Sequence, residues 1–144
     1  MNPEELLYEG EKFTIRWDPK EEVFFVKMWG AHTEKDAEEF NEKMYGLIDK
    51  IPGIGSIDIL VDVSKQERTD HEARRIYTTA ISGHPRPTNS VICGANAIIR
   101  IITNFIVAVA TKQKGKNIKS LANAEEGLKW LRKMKVREDE SPGR

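Results

Sequence analysis

The hydrophobic pattern changes period along the chain, and each change predicts an element. Phe13, Ile15 and Trp17 alternate with Thr14 and Arg16, the period of a half-buried strand. Asp18-Pro19-Lys20-Glu21 is a turn signal, and Val23 to Trp29 is rich in aromatic and β-branched residues, so a hairpin opens the domain and Gly30 closes it. Thr33 with Asp36 three positions on resembles a capping box; Ala37, Phe40, Met44, Leu47, Ile48 and Ile51 then recur at helical spacing until Pro52-Gly53. Ile57 to Val63 is nearly continuous apolar sequence broken by Asp58, which suits a strand covered on both faces and finishing at Asp62. Ser64 to Thr69 reads as a short polar loop. Asp70 caps a helix with the stripe Ala73, Ile76, Tyr77, Ala80 and Ile81, closed by Gly83 and Pro85.

Ser90 to Gly94 predicts a short strand, and Asn96 to about Lys114 a long helix that is apolar on nearly all sides through Ala110. Ile118 to Leu121 predicts the last strand. Asn123 with Glu126 launches a final helix with Ala124, Leu128, Leu131 and Met134 inward and Trp130 nearby. The order is β-β-α-β-α-β-α-β-α. Right-handed crossovers then predict an α/β domain: a mixed, mostly parallel sheet of about five strands covered by about four helices. Residues 1–137 are expected to form one domain, with 138–144 as a polar tail.

Composition leaves this picture standing. With 144 residues, 39% hydrophobic and 32% charged, the chain can bury a substantial core. The N-terminal residues lack the basic and apolar regions of a secretory signal. The apolar run Ala97 to Ala110 is too short for a bilayer and contains Arg100, Thr103 and Asn104, so no membrane span and a cytoplasmic location are expected. Cys93 lies in an apolar run and is expected to be a buried, inert thiol. Formal net charge is zero but unevenly spread: residues 1–50 carry −6, residues 51–95 balance, and residues 96–144 carry +6. That asymmetry suits either self-association or differing solvated faces. A nucleic-acid-binding domain would be more basic, so no such partner is expected.

Candidate chemistry gathers between Ile57 and Arg75. In parallel α/β domains the carboxyl end of a strand beside a helix N-terminus is where ligands are usually handled. Asp62, Ser64, Thr69, Asp70, His71 and Arg74 are therefore nominated as ligand- or partner-binding residues. Each has a plainer role: Asp62 can bond loop amides or pair with Arg74 or Arg75, Asp70 can simply cap, and His71 can be an inert surface histidine. The three histidines and one cysteine show no metal spacing, and no serine has a nucleophile-elbow context. No catalytic residue, metal or cofactor is assigned, and the chain is expected to be non-enzymatic.

The helix from Ala97 is the rival surface. Ile98, Ile99, Ile101, Ile102, Phe105, Ile106, Val107 and Val109 exceed the single stripe of a helix lying on a sheet. The surplus, represented by Ile98, Ile102, Phe105 and Val109, must bury in a homodimer interface or around an apolar ligand. Arg100 and Asn104, one turn apart, would bind a polar headgroup or bond across that interface.

The ordered set Leu60-Val61-Asp62-Val63-Ser64, Thr69-Asp70-His71-Glu72-Ala73-Arg74, Val91-Ile92-Cys93-Gly94, Arg100 with Phe105, and Glu125-Glu126-Gly127-Leu128-Lys129-Trp130-Leu131 resembles the STAS fold of the SpoIIAA anti-sigma-factor antagonists. It resembles more closely the bacterial SpoIIAA-like proteins, over about residues 10–134. The resemblance implies a regulatory or protein-interaction module. It also implies a topological similarity to CRAL-TRIO lipid-transfer domains, which makes an apolar ligand worth testing. His71 stands where the antagonists carry a phosphorylatable serine after the aspartate, so the resemblance does not extend to that switch.

Overall fold

The computed structural model describes residues 5–110 and 115–139. Among these residues the elements are β1 (Glu5–Glu9), β2 (Phe13–Asp18), β3 (Val23–His32), α1 (Glu34–Asp49), β4 (Ile57–Thr69), α2 (His71–Gly83), β5 (Thr88–Cys93), α3 (Ala97–Ala110), β6 (Lys116–Leu121) and α4 (Ala124–Asp139). The strands form one sheet in the order β1-β2-β3-β4-β5-β6. β1, β2 and β3 pair antiparallel, and β3 through β6 pair parallel. The mixed, mostly parallel sheet and the opening hairpin are as expected, with one strand more than predicted. The hairpin turn is tied by Asp18 Oδ1, which accepts the N–H groups of Lys20 and Glu21 at 2.9 and 3.1 Å.

The extra strand is β1. Its sequence Glu-Leu-Leu-Tyr-Glu lacks alternation, and its pairing with β2 shifts register between Leu6 and Tyr8. Backbone pairing at an edge holds it, which side-chain periodicity does not reveal.

β4 brings a correction. Ser64 to Thr69 is strand, not loop, and Asp62 lies inside β4 rather than at its end. The cause is the length of β3, whose Trp29, Gly30 and His32 pair with Lys65, Gln66 and Thr69. Backbone hydrogen bonds carry this stretch although its side chains are mostly polar.

Each face of the sheet has its own apolar cluster. On one face Phe13, Ile15, Phe24 and Val26 pack with Met44 and Ile48 of α1 and Ile99 of α3. On the other, Val23, Leu60, Val91 and Cys93 pack under Leu131 of α4. Ala124, expected to face inward, is exposed. The contact is made instead by Gly127, where an added Cβ would lie 2.8 Å from Cys93 Sγ. α4 also carries Glu138 and Asp139, so the expected tail begins inside a helix; residues 140–144 lie outside the described residues.

Candidate functional site

The C-terminal ends of β4, β5 and β6 lie along one edge of the sheet, where α2, α3 and α4 begin. Each helix entry is capped by a side chain. Asp70 Oδ1 accepts from Ala73 N–H, Asn96 Oδ1 from Ile99 N–H and Asn123 Oδ1 from Glu126 N–H, all at 2.9 Å. An N-cap of this kind contributes about 1 kcal/mol, so Asp70 has a structural role that requires no chemistry.

The other nominated residues divide in two. Asp62 Oδ1 accepts the Ser64 N–H at 2.9 Å, and Arg75 pairs with Glu72 at 2.8 Å rather than with Asp62. Thr69 is buried and its Oγ1 accepts from Gln66 Nε2 at 2.8 Å. Ser64, Asp70, His71 and Arg74 are exposed. Gly94 closes the loop after β5 against Ser64: its φ is +80°, and an added Cβ would meet Ser64 Cβ at 2.9 Å. The junction thus brings together caps and an exposed polar surface, and it does not set a nucleophile beside a base. Among the described residues no three His, Cys, Asp or Glu side chains converge as metal ligands. Cys93 is buried as expected, and burial pushes its thiol up to about 11.

On α3, Ile99 and Thr103 are buried, whereas Arg100, Asn104 and Ile101 are exposed, Ile101 by 74%. Arg100 Nη2 reaches the Ala95 carbonyl at 3.4 Å. Val109 is half-buried; the side chains of Ile98, Ile102 and Phe105 lie outside the described residues. No described helix is long and apolar enough to cross a membrane.

A cavity of about 140 Å³ between the sheet and α1, α2 and α3 is the feature that residue-by-residue reading missed. It follows β4 from Ile59 to Thr69, about 30 Å of strand. α2 packs chiefly against α1 and α3, and its Tyr77 lines this space. Val61, Ile92, Ile99 and Ile118 line the walls with Met44 and Ile48. Gln66, Thr69 and Tyr77 stand toward one end, and Tyr45, His84 and Thr88 toward the other. No Asp, Glu, Lys or Arg is among the described lining residues. From α3 the described lining residues are Ile99 and Thr103, which are not among the residues named as its apolar surplus.

Both ends are fixed by hydrogen bonds. Tyr77 O–H donates to His32 Nδ1 at 2.6 Å, and His32 Nε2–H donates to the Trp29 carbonyl at 3.2 Å. At the far end His84 Nε2 pairs with Asp49 Oδ1 at 2.8 Å, and Lys116 Nζ bonds the carbonyls of His84 and Arg86. Arg86 in turn ties the α1–β4 connection through the Pro52 and Gly55 carbonyls.

Burial pushes the His32 pKa below its ordinary 6.5. The neutral ring is the folded form, so its contribution to stability is complete above pH 6.5 and is lost as pH falls toward the depressed folded value. The urea midpoint is expected to fall between about pH 7 and 5, and His32→Gln should lose that part of the pH dependence. An unchanged pH profile in the variant would exclude His32 as the group responsible.

No protein-family model matches the sequence, and none of the curated proteins compared with it matches significantly. Solved structures do match. An uncharacterised DUF3478-family protein with a SpoIIAA-like fold from Shewanella loihica PV-4 aligns over 91% of this chain and 97% of its own, at 15% identity and TM-score 0.62. The anti-sigma factor antagonist SpoIIAA in its unphosphorylated form aligns over 83% and 97%, at 11% identity and TM-score 0.56. SiaC of Pseudomonas aeruginosa aligns over 84% and 99%, at 8% identity and TM-score 0.50. At these identities the likeness is one of architecture, and it agrees with the strand order, the hairpin and the helical layers described above: the chain has the SpoIIAA-like, or STAS, fold.

Proposed function

We propose that this protein is a non-enzymatic regulatory or protein-interaction module. One observation carries the reading. The polar residues at the β4–α2 junction are either engaged in caps and turns or exposed without a reacting partner beside them. The likeness in fold to a structure described as an anti-sigma factor antagonist supports it. The partner surface in this reading is Ser64, Asp70, His71 and Arg74, extended by Arg100 and Asn104 on α3. In this reading the homodimer interface is the α3 face, and the exposure of Ile101 there supports it. Affinity capture from the native host tests the surface: Arg74→Glu should lose a partner that the wild type retains. Sedimentation at micromolar concentration should show a dimer that Ile101→Asp converts to monomer. Identical capture and a monomer throughout would remove both parts of the reading.

The cavity favours a second reading, a binder of a small apolar ligand. A largely apolar space of about 140 Å³ resembles in size engineered cavities of about 150 Å³ that bind benzene. Helix α3 lines one wall of that space through Ile99 and Thr103.

A further inference from the structure

Asn41, one of the described residues that line the cavity, carries a polar atom whose needs are unmet. Asn41 lies on α1 between Phe40 and Met44, on the apolar side of the helix. Its Oδ1 is buried and, among the described residues, accepts no hydrogen bond. A carbonyl oxygen in that position loses its hydration without a replacement, which makes it an acceptor waiting for a donor.

The remaining lining limits what the donor is attached to. Among the described residues no Asp, Glu, Lys or Arg borders the space, and His84 is engaged by Asp49. An ionised ligand would enter without a counter-charge, and burying an unpaired ion in apolar surroundings is strongly unfavourable. A neutral ligand has no such penalty, and its apolar body replaces empty space against Val61, Ile92, Ile99 and Ile118. The volume admits a substituted ring or a medium alkyl chain.

We infer that the cavity beneath α2 binds an uncharged, largely apolar molecule bearing one hydroxyl or N–H donor, seated with that donor on Asn41 Oδ1. This rests on the ligand-binding reading above and adds the charge, the donor and the residue that selects it. The ligand class is thus a neutral phenol or alcohol, and not a carboxylate of the same size.

Three probes of nearly equal size test it: para-propylphenol, propylbenzene and para-propylbenzoate, titrated by calorimetry near neutral pH. The phenol should bind about tenfold more tightly than propylbenzene, the ratio of one net hydrogen bond, and the benzoate should not bind. Asn41→Leu should remove the preference for the phenol while leaving propylbenzene bound. Val61→Phe, which fills the space beside Ile92 and Ile99, should abolish binding of both. Benzoate binding as tight as the phenol's, or an Asn41→Leu variant that keeps the preference, would overturn the inference and leave the ligand reading intact. Failure of all three probes to bind the folded wild type would overturn the ligand reading itself.

Discussion

Gly127→Val is expected to destabilise the protein by about 3 kcal/mol. Helix propensity alone argues the other way, since Gly in a helix interior is about 1 kcal/mol worse than Ala. The close approach of α4 to the sheet decides the sign. A Cβ at residue 127 would lie 2.8 Å from Cys93 Sγ and 3.1 Å from both Leu60 Cδ1 and Val91 Cγ1. Valine adds two methyl groups beyond that Cβ, so α4 must rise. Lifting it also exposes Leu131, which is buried against the same cluster and contributes about 2 kcal/mol. Urea denaturation measures the loss. A variant as stable as wild type would mean that α4 does not lie this close to β4 and β5.

Asp58→Leu is expected to cost a similar amount, about 3 kcal/mol. Asp58, Asn89 and Asn117 are the second residues of β4, β5 and β6 and stand side by side in register. Asn117 Nδ2 donates to Asn89 Oδ1 at 2.9 Å, and Asn89 Nδ2 donates to Asp58 Oδ1 at 3.0 Å. Lys135 of α4 approaches Asp58 Oδ2 at 3.6 Å. Removing the carboxylate takes the acceptor from the buried Asn89 and the anion from Lys135. Lys135 remains about one-third exposed and recovers part of its hydration, which keeps the cost at the lower end for a buried pair. Asp58→Asn, which keeps an acceptor for Asn89, should lose less. Equal losses from Asn and Leu would assign the effect to charge alone and not to the row of hydrogen bonds.

These two sites also mark the limits of the sequence. Ile57 to Val63 reads as a buried strand, and it is one, but Asp58 gains its meaning only when β5 and β6 bring Asn89 and Asn117 into register. The caps at Asp70 and Asn123 were legible because capping is local: each side chain bonds an N–H three residues on. The polar end of β4 was not legible, because its hydrogen bonds come from β3, across a chain separation that periodicity does not span.

The site divides along the same line. The exposed polar surface at the β4–α2 junction was legible from Thr69-Asp70-His71. The fold places Asp62 and Thr69 in local bonds instead. The cavity belongs to three helices and several strands at once, so no single stretch announces it. Asn41, set within the apolar stripe of α1, gains significance only from the space beside it.

Methyl-resolved NMR during titration with para-propylphenol tests most directly whether this fold is a binding module with an interior site. The predicted result is a set of saturable shifts at Met44, Val61, Ile92 and Ile99, which line the cavity, with Ile54 and Val136 on the surface unchanged. Shifts confined to Ile54 and Val136, or none at any of these methyls, would contradict it.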